Sequence, residues 1–191
     1  MRSRSWTFLT RRIGGSLHRF TELAHRCVGP MLASRREREA RIGAALETSG
    51  ATHLVKGIQA TRLEGAIIAV GVFSIFESML QGRLQCADGF KEANGILAAH
   101  DAGDLADEFS DYQKAINVLK HGEGPSYDAM VRKGGSRYFR VLMPDESSFF
   151  EGDVSEVAIL IDVNAEFVSR CASLIEEVAR FIEKVRPGFH L

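Results

Sequence analysis

Residues 66–80, AIIAVGVFSIFESML, decide the fold of this chain. They form the middle of a pattern from about Thr52 to Gln85 in which apolar side chains cover most of the circumference of a helix. Such a helix is typical of the centre of a bundle. The charge-free window from Ala66 to Phe76 has eleven residues, whereas a membrane span needs about 20. We therefore expect a buried helix in a cytoplasmic protein that does not contact a membrane.

Helical periodicity continues on the C-terminal side of this segment. The spacing of apolar residues predicts helices over about 88–100 and 104–121. A regular alternation of four-residue and three-residue steps over 167–185 predicts a last helix, which either Asp162 or Asn164 caps. Together these patterns predict a mainly α protein, a bundle of four or five helices.

The segment 126–153 lacks helical periodicity. Residues 138–143, YFRVLM, are typical of a strand, and residues 154–163 form a second candidate. The two would pair as a β-hairpin around 144–153, and the alternative is a helix that continues into the second candidate. We expect the hairpin, as a small β insertion in the bundle at about residues 126–163.

Charge is distributed unevenly along the 191 residues, whose formal net charge is −1. Residues 1–41 contain ten arginines and three acidic residues, so they carry +7 and the rest carries −8. We predict an Arg-rich N-terminal arm over 1–50, irregular or partly helical up to Gly29-Pro30 with an exposed helix over 31–46, and a helical domain over 51–191. A basic arm on an acidic body indicates contact with a polyanion. The alternatives are an arm that packs on its own domain, and a start codon placed too far upstream.

The sequence contains no familiar cofactor or metal motif. Its three cysteines are far apart without C-x-x-C spacing, and none of its six histidines pairs with another ligand at close metal-binding spacing. No phosphate-binding glycine loop or zinc-protease signature is present. We therefore expect neither a metal nor a cofactor.

One polar stripe contains side chains that could act in catalysis or in phosphate binding. Lys114, Asn117 and His121 lie at i, i+3 and i+7 on a helix that we expect Asp104 to cap. Lys114 and His121 are about 20° apart around the helix axis. A histidine can move a proton at an RNA 2′-hydroxyl, while a cation and an amide hold the phosphate. The alternative is that the stripe is only the solvated face of the helix.

Two segments resemble HEPN domains. Residues 66–80 are similar to the long HEPN helix, in which an apolar run meets a Phe-Glu pair. Residues 115–122, AINVLKHG, resemble the hallmark HEPN helix end, an Arg followed after four to six residues by His, often with Asn near the Arg. The resemblance covers about residues 55–185 in order and length.

The resemblance implies a helical bundle that dimerises, with two His motifs forming a composite ribonuclease site, in a toxin–antitoxin or antiphage setting. His121 would be the catalytic histidine and Asn117 its polar helper, while Lys114 would replace the Arg of the motif. Because Lys lacks the planar fork that Arg offers to phosphate, we expect a degenerate HEPN-like domain that binds RNA or nucleotide. The alternatives are an active metal-independent endoribonuclease and an unrelated helical interaction module. The expected partners are a second copy, RNA, and an antitoxin or other protein.

Overall fold

The computed structural model describes residues 17–144 and 160–186. In these ranges six helices pack as one bundle, which confirms the predicted mainly α class. The predicted number of four or five helices is too low, because the segment after residue 124 contains an additional helix and the helix predicted over 31–46 is part of the bundle. The helices, numbered along the chain, are α1 (Leu17–Leu46), α2 (Thr52–Leu84), α3 (Gly89–Ala99), α4 (Gly103–His121), α5 (Pro125–Lys133) and α6 (Ala165–Val185).

The central helix α2 contacts α1, α3, α4 and α6 and supplies the middle of the core. Phe73 and Phe76 are fully buried, and the Phe73 ring lies 6.1 Å from that of Phe109 in α4. Within the described residues, α2 is covered on one face, where its neighbours pack. Leu63, Ile67 and Ile75 are exposed, so the helix predicted to be buried at the centre of the bundle leaves part of its apolar surface uncovered.

The same helix is apolar and long enough to cross a membrane. Among the described residues α2 alone passes this criterion, and 33% of the relevant window is buried inside the bundle. A core helix of a soluble protein meets the same criterion.

Helix α1 replaces much of the predicted arm. It runs through Pro30 and packs against α2 and α6. Residues 17–30 are therefore helical throughout and not irregular. The inward face of α1 is buried at Ala24, Val28 and Leu32, so the part over 31–46 is not a purely exposed helix. This burial outweighs the helix-breaking tendency of Gly29-Pro30. Residues 1–16 of the predicted arm lie outside the described residues, and the division of the chain at residue 50 stays a prediction.

The predicted ends of the later helices are largely reproduced. The Asn164 side chain caps α6 by accepting a hydrogen bond of 2.8 Å from the Phe167 backbone, which decides between the two predicted caps. Asp104 lies inside the first turn of α4 and is not its N-cap, which is Ala102. Gly122 ends α4 with a φ of 72°, a conformation that suits glycine.

The predicted non-helical segment begins instead with helix α5. Pro125 occupies the first turn, where its missing N–H costs nothing, and Tyr127 and Met130 are buried. The proline in the first turn therefore marks the start of a helix that the spacing of apolar residues did not predict.

The predicted β-hairpin is not supported. The described residues contain no strand, only an isolated antiparallel bridge between Val141 and Ile161. Two backbone hydrogen bonds hold this bridge, from Leu142 to Leu160 at 2.8 Å and from Asp162 to Arg140 at 3.0 Å. On the C-terminal side of Ile161 the chain turns into α6 at the Asn164 cap, so the pairing ends there. The predicted turn and most of the second strand, residues 145–159, lie outside the described residues.

Candidate functional site

The predicted site lies along one face of α4, the face opposite its buried residues. On a helix, residues 107, 114 and 121 recur at nearly the same angle, and 110 and 117 lie beside them. We call this the α4 polar face, made of Asp107, Ser110, Lys114, Asn117 and His121. Each of these residues is partly or fully exposed.

His121 is the last residue of α4 and is exposed. Its imidazole makes no hydrogen bond or ion pair with the described part of the chain. Both ring nitrogens are available to a ligand.

Lys114 is directed away from His121. Its ammonium donates to the Ser110 hydroxyl at 2.8 Å and lies 3.5 Å from the Asp111 carboxylate, and its side chain remains 32% exposed. His121 lies two turns further along, a rise of about 10 Å. Asn117, between them, is partly buried. The structure thus places all three predicted residues on one face but does not bring their functional groups into contact.

The residue that sequence reasoning missed is Asp111. Its side chain is only 2% exposed, yet it accepts hydrogen bonds of 3.0 Å from Lys133 to both oxygens and another of 3.0 Å from Ser136. With Lys114 it therefore holds two ammonium groups and one hydroxyl. The sequence signal was an acid three residues before Lys114, but Lys133 could not be placed because α5 was not predicted.

A second polar cluster ties α4 to α6. Arg170 binds Glu108 through two parallel contacts of 2.6 and 2.7 Å and also pairs with Glu177. These hydrogen bonds, first with Glu108 and then with Glu177, raise the pKa of the arginine. Nearby, burial above all raises the pKa of Tyr112, with Cys171 and Glu108 adding to it, so this hydroxyl stays protonated. The cluster fixes the flank of the α4 polar face.

No group of three or more His, Cys, Asp or Glu side chains that could hold a metal occurs within residues 17–144 and 160–186. The α4 polar face offers a histidine, a lysine, an amide, a hydroxyl and a carboxylate, and Lys114 shares buried Asp111 with Lys133 of α5. Comparison with known protein families, with curated proteins and with solved structures finds no match for this chain.

Proposed function

We propose that this chain is a HEPN-like RNA-binding protein that contacts RNA phosphates through the α4 polar face. The observation that carries the proposal is His121, an exposed imidazole at the carbonyl end of α4 with no partner in the described part of the chain. Phosphate contacts supply most of the affinity of proteins for nucleic acids.

The neighbours of His121 support phosphate binding. Lys120 is also exposed at the helix end, and Gly122 and Glu123 leave the approach open. Further along the face, Lys114 and Lys133 share the Asp111 carboxylate, so two ammonium groups lie together beside Asp107. A ligand with phosphates spaced along a strand could contact both ends of the face.

The test is RNA binding by the purified full chain, measured by fluorescence anisotropy with a single-stranded RNA at two salt concentrations. His121→Ala is expected to weaken binding. It should also lower the salt slope, the steepness with which the logarithm of the binding constant falls with the logarithm of salt concentration, by about 0.7, which corresponds to the loss of one phosphate contact. His53→Ala, at an exposed histidine in the first turn of α2, is the matched control. Equal affinity for the two variants would refute the proposal, and the interaction-module alternative would then stand.

A second candidate is RNA cleavage without a metal. The unbonded imidazole of His121 favours it, because a general base must reach the proton it removes. Against it stands Lys114, whose ammonium is engaged by Ser110 and Asp111. Incubation with total RNA and a chelator tests cleavage: turnover that His121→Ala abolishes and Lys114→Arg preserves would establish the enzyme.

We further propose that the protein is a cytoplasmic homodimer and that an antitoxin-like partner controls it. The exposed apolar face of α2 supports self-association, since Ile67 is 64% and Ile75 53% exposed. The end of α4 is expected to lie in the interface. Light scattering on the wild type and on Ile67→Asp should show a dimer and a monomer, respectively, and a monomeric wild type at micromolar concentration would contradict the assembly.

A further inference from the structure

Two open clefts lie side by side on the flank of the bundle and share the Tyr138 ring. The basic cleft, of about 410 Å³, is lined by Asp107 and residues 133–138. The aromatic cleft, of about 210 Å³, is lined by four aromatic residues, Tyr112, Tyr138, Phe139 and Phe167, by Asn164 and Glu166, and by the ion pair of Glu108 and Arg170. Because one ring forms a wall of both, a single ligand could occupy the two clefts at once.

The basic cleft is suited to a phosphate. Its charged lining consists of Lys133, Arg137 and Asp107, and each cation also pairs with a carboxylate behind the lining, Lys133 with Asp111 and Arg137 with Asp104. Buried Asp111 fixes Lys133 in place through two hydrogen bonds of 3.0 Å. Arg137 is held over the Tyr138 ring and donates to its hydroxyl at 2.6 Å, while its contact with Asp104 is long, at 3.3 Å. The cations are therefore positioned before a ligand arrives.

The aromatic cleft is suited to a flat ring with hydrogen-bond donors. The partly exposed rings of Tyr138 and Phe139 supply aromatic walls on which a base can stack, and buried Phe167 packs behind Phe139. Glu166 is exposed and makes no hydrogen bond within the described residues. Asn164 uses its carbonyl oxygen to cap α6, so its amide nitrogen is the group left for a ligand.

These polar groups match the edge of guanine. Guanine presents one acceptor, O6, beside two adjacent donors, N1–H and the N2 amine, and a carboxylate can accept from both donors. Glu166 would accept from N1–H and N2, and the Asn164 amide would donate to O6. Adenine instead places the acceptor N1 opposite the carboxylate, which disfavours it.

We propose that the two clefts together bind a guanine nucleotide unit, with its base against Glu166 and Asn164 and its phosphate against Lys133 and Arg137. The inference rests on the proposed function only in taking RNA as one source of that unit, the other being a free nucleotide. It adds a recognition site separate from His121, which lines neither cleft.

Calorimetric titration of the full chain with GMP and AMP tests the proposal. GMP is expected to bind about tenfold or more tightly than AMP, the discrimination typical of a two-point contact to a base edge. Glu166→Gln should reduce GMP affinity to that of AMP, whereas Glu183→Gln, another carboxylate on α6, should leave it unchanged. Arg137→Ala should weaken both nucleotides alike. Equal affinities for GMP and AMP, no binding of either, or equal loss in the two glutamate variants would overturn the proposal.

Two further measurements separate the sources and the hypotheses. A hexaribonucleotide with one guanosine that binds tighter than GMP would identify RNA as the source, and weaker binding would identify the free nucleotide. His121→Ala should leave GMP affinity unchanged. If that variant also keeps full RNA binding, the proposed function fails while the guanine site stands.

Discussion

Position 65 requires a residue without a side chain, because Arg35 passes directly over it. The Arg35 side chain is buried, with Nε donating to Glu39 at 3.0 Å and Nη2 donating to the Val163 carbonyl. Its Nη1 is buried and has no hydrogen-bond partner among the residues that the structure describes. A Cβ added at Gly65 would overlap Nη1 and come within 3.0 Å of the Val163 side chain. A glycine thus allows α1, α2 and the start of α6 to meet around one cation.

Gly65→Ala is therefore expected to lower the free energy of unfolding by about 1–3 kcal/mol, the usual cost of overpacking a core. Gly71→Ala is the control on the same helix, because nothing lies within 4 Å of a Cβ added there. Alanine should raise stability at that position by up to about 1 kcal/mol through its higher helix propensity. Urea unfolding measures both, and similar stabilities for the two variants would contradict the role assigned to Arg35.

At the scale of elements, α5 is anchored to α4 by Asp111. Lys133, at the end of α5, and Ser136, just after it, both donate to this buried carboxylate. Asp111→Ala is expected to cost about 1–3 kcal/mol, the range for losing hydrogen bonds to a charged group. Amide hydrogen exchange should accelerate in 125–133 before it does in α6. Lys133→Ala should lower the free energy of unfolding by less, since the lysine side chain is 56% exposed. If Asp111→Ala instead accelerates hydrogen exchange uniformly across the bundle, Asp111 is not a local anchor of α5.

At the scale of the whole molecule, the decisive property is the uneven charge. Residues 1–16 contain four of the ten N-terminal arginines and no acid. Deleting them is expected to weaken RNA binding and to lower the salt slope by up to about 3, at about 0.7 per phosphate contact. An unaltered slope in the deletion variant would assign RNA binding to the folded body alone.

The α1 surface gives a partial view of the same charge. Arg36 and Arg41 are exposed, but Arg35 is buried and Arg38 pairs with Glu64 at 2.9 Å. Arg35 and Arg38 are therefore paired within the bundle and do not add free positive charge to its surface. This agrees with the alternative in which the arm packs on its own domain, for residues 17–46 at least.

Local chemistry was enough to predict α3, α4 and α6. Each has regular apolar spacing, and the sequence also marks the end of α4 by Gly122 and the start of α6 by Asn164, whereas the Asp88 cap of α3 is seen only in the structure. Such signals act within a few residues, so a sequence carries them in full. The exposure of His121 followed from the same reasoning, because a helix end opposite a core stripe meets solvent.

Other features depend on contacts between residues that are far apart in the sequence, so only the tertiary structure decides them. Helix α1 continues through Gly29-Pro30 because α2 and α6 bury its inward face. The strand-like residues 138–143 make one bridge because the Tyr127 hydroxyl binds the Leu142 carbonyl and the Phe139 ring packs 5.0 Å from Tyr112. Lys114 turns from His121 because buried Asp111 attracts it. Local propensities are worth a few tenths of a kcal/mol to about 1 kcal/mol per residue, whereas burying one large apolar side chain contributes about 1.5–3 kcal/mol, so packing prevails where the two conflict.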